Sequence, residues 1–589
     1  MTEESGTKKD FYRYSFWICA VLLTFLSLGA RSLWGSEDRW GEVCRIMLFT
    51  KDFFHPSING ITYFDKPLLS YWAIIPFAMI SGTLNELIIR LPSAFAGLLG
   101  LWGTIVLARK LWSEQIARLA GWILLTSYGF LWWSRTAAAD MQNMSLIILA
   151  VAWFFCRKDK PGFVSYLVFY LLLFIGAQFK GLPAIAVPLV AIFPYVIRQN
   201  RWKKHLRFSN FAALFIGIAI YLAPFVISSQ LPLPEGYSYQ SGEGQGNVQK
   251  GKEASGLELV YTENIQRFFK THDHKGPFYA YFVHVPRIML PWSPLFILAV
   301  IAALMRYRKL KSETGWLLEA IILIFLMFSV SSSKRWYYIL PILPFCAIMS
   351  SVFLYSDWRE KWKKWGLIVT AGVLVLISAG ELLSPAVWPL LAKIKDIQMP
   401  ANMKIITFCI GLLSIVPWLL FKFKPEILSR ITDASRMLSA IILSMVILFI
   451  GLFCFQLPAL EAFRTEKNFA MELKKITADV EPENIAFYMK LPVDITFYLK
   501  TEKPVKIINN SEEAWEFIRQ GDNRIFVAQN GMLKFLDLPD ENLENQPTLR
   551  ESAFPWEKLK KKFSAWKFKK GKYSGEADII KTDINKDLK

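Results

Sequence analysis

Residues 8–42 read KKDFYRYSFWICAVLLTFLSLGARSLWGSEDRWGE. Lys8, Lys9 and Arg13 precede an apolar run, Tyr14–Leu33, and the charged triplet Glu37-Asp38-Arg39 follows it. A helix needs about 20 apolar residues to cross the hydrocarbon core of a bilayer, and this run supplies them. It begins like a signal peptide, but no small-residue cleavage site precedes Arg31-Ser32-Leu33-Trp34. It therefore reads as a retained first span with a cytoplasmic N-terminus.

The same pattern repeats along the chain of 589 residues, of which 53% are hydrophobic and 15% aromatic. Its mean hydropathy is +0.31. Further apolar runs fall near 87–107, 116–133, 141–155, 163–179, 182–197, 208–228, 285–305, 316–330, 337–355, 365–383, 405–421 and 437–455. With the first, these predict about thirteen membrane helices. Basic clusters mark alternate loops: Arg109/Lys110, Arg157/Lys158/Lys160, Arg198/Arg201/Lys203, Arg306/Arg308/Lys309, Arg359/Lys361 and Lys422/Lys424. Such loops are cytoplasmic by the positive-inside rule, and an odd count places the C-terminal region outside. The formal net charge of +20 is thus spread as membrane proteins spread it, which argues against nucleic acid as a partner. The six cysteines contain no CxxC, so neither a disulfide framework nor a zinc ribbon is indicated.

The expected organisation is a transmembrane domain, residues 1–455, with long outer loops at 34–86 and 230–284. A small soluble domain, residues 456–589, follows on the outer side. In it, Ile485–Met489, Lys506–Ile508 and Arg524–Ala528 read as strands, and Ser511–Arg519 as a helix capped by its serine. The Lys-rich tail from Lys558, with Trp566 and Phe568 interleaved, reads first as a solvated segment and second as one that touches anionic headgroups. The fold class is a polytopic α-helical membrane protein with a small C-terminal α/β domain.

The charges on the outer side carry the chemistry. Glu37 and Asp38 just past a membrane helix can act as a base, and Arg39 can hold a phosphate. On the residues alone, a capped headgroup-level turn before a helix Trp40–Phe49 is the simpler account. Asn59-Gly60 marks a tight turn. Lys66, fixed beside Pro67, can meet a lipid phosphate or simply snorkel. Arg135 and Asp140, Lys180, and Lys334-Arg335 end other helices on this side. Lys and Arg are less expected there, so their gathering beside acids and tyrosines points to an anionic headgroup.

The order of these motifs resembles the membrane glycosyltransferases of the GT-C fold, the superfamily of protein O-mannosyltransferases. The likeness is greatest to the branch that moves 4-amino-4-deoxy-L-arabinose from undecaprenyl phosphate to lipid A. It runs from Arg31-Ser32-Leu33-Trp34 through Tyr63-Phe64-Asp65-Lys66-Pro67 to Arg90-Leu91-Pro92. It resumes at Phe179-Lys180-Gly181, Ile265-Gln266-Arg267-Phe268, Leu290-Pro291-Trp292 and Ser333-Lys334 with Tyr338-Ile339-Leu340-Pro341. The resemblance implies a catalytic acid in the first outer loop. This chain is one residue shorter there, so either Glu37 or Asp38 stands at that position. It implies a second acid at Asp140 and a carrier-phosphate lysine at Lys66, with Arg39, Tyr63, Arg267, Lys334 and Tyr338 as neighbours. It also implies a divalent metal, zinc or another, between Asp65 and His274, with His272 nearby. A dispersed pair of ligands is weak support for a metal, and His272-Asp273-His274 also reads as a polar loop.

The implied reaction is inverting transfer of a sugar from a polyprenyl-phosphate donor to lipid A or another outer-face acceptor, in a bacterial inner membrane. No GxxxxGK[ST] motif occurs, and a phosphate-activated donor needs no nucleotide cofactor. Two other readings stand beside it. One is a protein O-glycosyltransferase of the same fold. The other is a lipid-linked-sugar transporter or flippase, which would favour ionisable residues at mid-membrane.

Overall fold

A computed structural model describes residues 3–200, 202–238, 276–395, 401–424, 426–427, 432, 434–520, 523–536, 547–553 and 557–568. Elements are numbered here in chain order. The first, α1 (Glu3–Phe25), is followed by α2 (Glu37–Thr50), a two-stranded hairpin of β1 (Ser57–Ile58) and β2 (Ile61–Thr62), and the short α3 (Leu69–Trp72) and α4 (Ile75–Ser81). Then come α5 (Glu86–Leu111), α6 (Glu114–Leu125), α7 (Tyr128–Ser134), α8 (Asp140–Arg157), α9 (Phe163–Lys180), α10 (Pro183–Arg198) and α11 (Phe208–Gln230). The second half of the bundle holds α12 (Ala280–Met289), α13 (Ser293–Met305), α14 (Ser312–Val330), α15 (Leu343–Tyr355), α16 (Glu360–Lys395), α17 (Ala401–Phe423) and α18 (Arg436–Gly451).

The chain is a multi-pass helical membrane protein. Among the described residues, seven helices are long and apolar enough to cross a bilayer, and an eighth crossing arises if α12 and α13, bent by 120°, act as one. Four shorter apolar helices accompany them, at Tyr14–Phe25, Leu69–Ser81, Pro183–Arg198 and Leu340–Tyr355. The expected count of about thirteen membrane helices is not reached by length and composition among the described residues, and two of the expected runs are broken. The run at 116–133 is split into α6 and α7. At 1.5 Å per residue, the twelve residues of α6 reach only about 18 Å of a core about 30 Å thick. The run at 285–305 breaks around Pro291 into α12 and α13. Both breaks are sheltered: Trp292 is wholly buried and its Nε1 donates to Thr126 Oγ1 at 3.0 Å, while Tyr128 N donates to Leu290 O at 2.9 Å. Neighbouring helices thus satisfy backbone that lipid could not.

Beyond α18 a π-helical turn (Leu452–Gln456) leads through α19 (Leu457–Leu460) and α20 (Glu466–Ile476) into a mixed sheet. Its strands are β3 (Ile485–Tyr488), β4 (Lys506–Ile508), β5 (Arg524–Gln529), β6 (Leu549–Arg550) and β7 (Phe563–Phe568), in the order β4-β3-β5-β7-β6. Helices α21 (Val493–Leu499) and α22 (Ser511–Arg519) connect its first three strands. The three expected strands and the helix are present. The cap of α22 is Asn510, whose Oδ1 accepts from Glu513 N at 2.8 Å; Ser511 is the first helical residue. Part of the tail expected to be solvated, Phe563–Phe568, is instead an interior strand: β7 pairs with β5 from Arg524↔Phe568 to Gln529↔Phe563. Its side chains alternate between two cores, Phe563 and Ala565 on one face, Trp566 and Phe568 on the other.

That sheet does not stand apart from the membrane domain. One face of it shares a core with Trp40, Val43, Cys44 and Met47 of α2. Where α21 crosses α2, a Cβ on Gly41 would come within 2.8 Å of the Phe497 ring, so only glycine permits the approach. Polar tethers reinforce the seat. Asn59 exchanges two hydrogen bonds with the Val505 backbone (2.9 and 2.7 Å), Arg45 Nη1 donates to Thr501 O (2.8 Å) and Tyr498 OH donates to Glu86 (3.0 Å). The first long loop is therefore clamped between the bundle and the C-terminal sheet.

Candidate active site

The acidic pair opens α2, and the two acids have opposite environments because successive helical residues point about 100° apart. Glu37 is completely buried. Its carboxylate accepts from Arg90 Nε (2.9 Å) and Nη2 (2.8 Å), Arg31 Nη2 (3.2 Å), Trp34 N (3.0 Å) and Ala137 N (2.8 Å). Arg90, itself fully buried, also donates to Leu28 O, Arg31 O and Ser32 O, each at 2.9 Å. One ion pair thus joins the end of α1, the start of α2, α5 and the turn before α8. Burial alone would raise the Glu37 pKa, but the Arg90 and Arg31 charges and the hydrogen bonds override it and hold it at about 2. No face of this carboxylate is open to a substrate.

A lowered folded pKa means that Glu37 stabilises the fold at every pH above its unfolded value of about 4.3, and that this contribution is lost as pH falls toward 2. Glu37→Gln keeps the side-chain shape but leaves two guanidiniums without their anion. Breaking a buried pair costs about 3–5 kcal/mol. Thermal unfolding of the detergent-solubilised variant should show a clearly lowered midpoint at neutral pH, and an unchanged midpoint would remove Glu37 from this structural role.

Asp38 lies on the other side of α2. Its Oδ1 is buried and has no hydrogen-bond partner among the described residues. Burial, and then the nearby Asp494 carboxylate of α21, push its pKa up to about 7. Asp494 is itself raised, mainly by burial. A carboxyl poised near neutrality is what proton transfer at physiological pH requires. Next to it, Arg39 Nη1 donates to Tyr63 OH at 2.7 Å, tying α2 to the loop that carries Lys66.

That loop leaves the β1–β2 hairpin, whose turn is Asn59 and Gly60 with φ of 52° and 77°, as the Asn-Gly pair predicts. Lys66 Nζ sits 2.9 Å from Asp65 Oδ2 and donates to Asp65 O at 2.9 Å; its side chain is 26% exposed. Ser70 Oγ donates to Phe179 O at 2.8 Å, which fixes this loop to the end of α9. There Lys180, the last residue of α9, pairs with Asp140, the first of α8. Lys180 Nζ also lies 5.2 and 4.9 Å from the ring centres of Tyr337 and Tyr338. Arg335 Nη1 donates to Tyr337 OH at 2.9 Å.

The structure therefore gathers the predicted residues into two clusters on the loop-bearing face. One holds Asp38, Arg39, Tyr63, Asp65 and Lys66; the other holds Asp140, Lys180, Tyr337 and Tyr338. Ala137–Glu37 and Ser70–Phe179 hold the two clusters to common elements. Lys334 joins neither by a described contact; its Nζ donates to Ser331 O at the end of α14. Arg267, His272 and His274 lie outside the described residues. Asp494 was not legible as a site residue, because nothing local marks an acid 456 positions after Asp38. The pairing role of Lys180 was equally hidden.

Of the expected metal ligands only Asp65 is described; His272 and His274 lie outside the described residues. Asp65 is engaged by the Lys66 ammonium, and no three His, Cys, Asp or Glu side chains converge among the described residues.

Comparison with known proteins fits this arrangement. Residues 65–228 match the family model described as dolichyl-phosphate-mannose-protein mannosyltransferase, a stretch that starts at the Asp65-Lys66 pair and includes Asp140 and Lys180. The chain is 31% identical over 353 residues to an undecaprenyl phosphate-alpha-4-amino-4-deoxy-L-arabinose arabinosyl transferase of Aeromonas salmonicida, covering 58% of this chain and 60% of that one. It is 28% identical over 330 residues to the protein of the same name from an Enterobacter species, covering 54% and 55%. The chain thus spans a little over half the length of these relatives. In fold it is similar to ArnT from Cupriavidus metallidurans bound to undecaprenyl phosphate, with a TM-score of 0.69, 18% identity, and coverage of 93% of this chain and 97% of that one. The archaeal oligosaccharyltransferase AglB from Archaeoglobus fulgidus aligns with a TM-score of 0.50 at 11% identity, over 89% and 70%. The GT-C-like fold and the resemblance read from the sequence are both borne out.

Proposed function

We propose that this chain transfers a sugar, 4-amino-4-deoxy-L-arabinose or a close relative, from a polyprenyl phosphate to a phosphate of lipid A or another acceptor. One observation carries the reading: a partly exposed lysine, Lys66, is anchored beside Arg39–Tyr63 and next to an acid held near neutrality, Asp38, within a fold shared with an undecaprenyl-phosphate-bound protein. The acceptor oxygen attacks the anomeric carbon, the bond from that carbon to the donor phosphate oxygen breaks, and the polyprenyl phosphate departs with the electron pair. Direct attack inverts the anomeric centre. Lys66, with Arg39 close by, meets the charge that develops on the leaving phosphate. Asp38 takes the acceptor proton where one is present. Asp140, tied to Lys180, orients the second cluster against the sugar. In this reading the basic loops face the cytoplasm of a bacterial inner membrane, and the loop-bearing face with the C-terminal sheet faces the periplasm.

A protein hydroxyl as acceptor is the second reading, favoured by the description of the matching family model. Both are tested by reconstituting the full chain with polyprenyl-phosphate-linked aminoarabinose, lipid A and a Ser/Thr-rich peptide, and reading the products by mass spectrometry. Sugar on a lipid A phosphate supports the first reading. Sugar on the peptide supports the second. A donor that stays intact, or crosses the bilayer unreacted, overturns both in favour of transport.

A further inference from the structure

Arg135, in the turn between α7 and α8, is only 5% exposed. Its Nη1 and Nη2 donate to Leu23 O and Leu26 O, each at 2.7 Å, and its guanidinium lies 4.5 Å from the centre of the Phe453 ring. These partners are carbonyls and a π-face; among the described residues no carboxylate pairs with it. Its neighbour Arg31 shares the single Glu37 carboxylate with Arg90. Arg31 Nη1 lies 3.0 Å from Glu37 Oε2 but makes no aligned hydrogen bond. Arg31 and Arg90 thus share Glu37, and Arg135, close to both, has no carboxylate of its own among the described residues. A buried cation without a counter-charge is strongly unfavourable in a low-dielectric setting, so the surplus calls for an anion.

The structure offers an opening about the size of one water molecule, enough for a single oxygen of an anion seated at its mouth. A narrow cavity lies between Arg31 and Arg135, lined also by Ser27, Leu28, Phe453 and Leu457. Phe453 belongs to the π-helical turn, a local widening of the helix that is frequent at functional sites. The surface around the cavity is apolar: Leu26 and Phe455 are 44% and 53% exposed, as lipid-facing side chains are. A charged opening with an apolar rim at a membrane helix end matches a lipid headgroup, whose phosphate seats at the mouth with one oxygen inside while its acyl chains stay along α1 and α18.

We propose that Arg31 and Arg135 bind the phosphate of an anionic membrane lipid at this corner, a site that shares no lining residue with the Lys66 and Asp140 clusters. The inference stands apart from the transferase reading, because it rests on charge balance and the cavity alone. The test uses the full chain in nanodiscs of phosphatidylcholine, with or without phosphatidylglycerol, read by native mass spectrometry and thermal unfolding. The expected result is a retained phosphatidylglycerol adduct and a raised unfolding midpoint, both lost in Arg135→Gln. Leu457→Trp, which fills the cavity and keeps every charge, should lose the adduct too, and it serves if Arg135→Gln fails to fold. Inorganic phosphate in place of phosphatidylglycerol separates the sources. A shift with the lipid only supports the proposal, and an equal shift with free phosphate overturns the lipid assignment. An adduct that persists in both variants overturns the site.

Discussion

Lys66→Ala should lower sugar release from a polyprenyl-phosphate donor by about 100- to 1,000-fold, the loss expected when one preorganised donor to a developing negative charge is removed, about 2.7–4 kcal/mol. The fold should survive. Lys66 and Asp65 are both partly exposed, and an exposed ion pair contributes at most about 1 kcal/mol to stability. The effect should therefore appear in turnover and not in the unfolding midpoint. Lys66→Arg should recover part of the rate, since the charge returns with altered geometry. Donor consumption that continues undiminished in Lys66→Ala would falsify the phosphate role of this lysine.

Asp38→Asn should have the second large effect, with a pH signature. A base must be ionised, and burial plus the adjacent Asp494 push the Asp38 pKa up to about 7. Wild-type turnover should therefore fall as pH drops below about 7. The variant should lose about 100- to 10,000-fold, the span of general acid–base contributions, and with it that acid limb. Asp494→Asn removes the like charge and should move the limb to lower pH. Stability should run the other way. With its folded pKa raised above the unfolded value of about 3.9, Asp38 binds more protons folded than unfolded between about pH 4 and 7. Its ionisation works against folding over that window, so Asp38→Asn should not lower the unfolding midpoint at pH 7. A variant that is fully active, or whose acid limb is unchanged, removes Asp38 from catalysis.

The contrast between these neighbouring acids shows where sequence reading stops. Glu37 and Asp38 are equivalent on paper, and the shortened loop leaves either at the expected position. What separates them is Arg90, 53 residues later in the chain, which sits fully buried against Glu37, and Asp494 of α21, which faces Asp38. Lys66 was legible because an aromatic, proline-fixed segment isolates it, whereas the Asp140–Lys180 pair depended on how α8 and α9 pack.

The sequence by itself determined the elements whose signal is local. The apolar runs specified the membrane helices, Asn59-Gly60 its hairpin, and the β-branched and aromatic runs of the C-terminal region three of its strands. The tertiary structure alone decided where runs break, as at α6–α7 and α12–α13, because only neighbouring helices can satisfy the interrupted backbone. It made an interior strand of β7, whose Lys567 and preceding run of lysines suggest solvent while Phe563, Trp566 and Phe568 fill two cores. It also made one carboxylate an anchor and the next a candidate base. Burial and charge neighbours fix that choice, and both are properties of packed distance rather than of position along the chain.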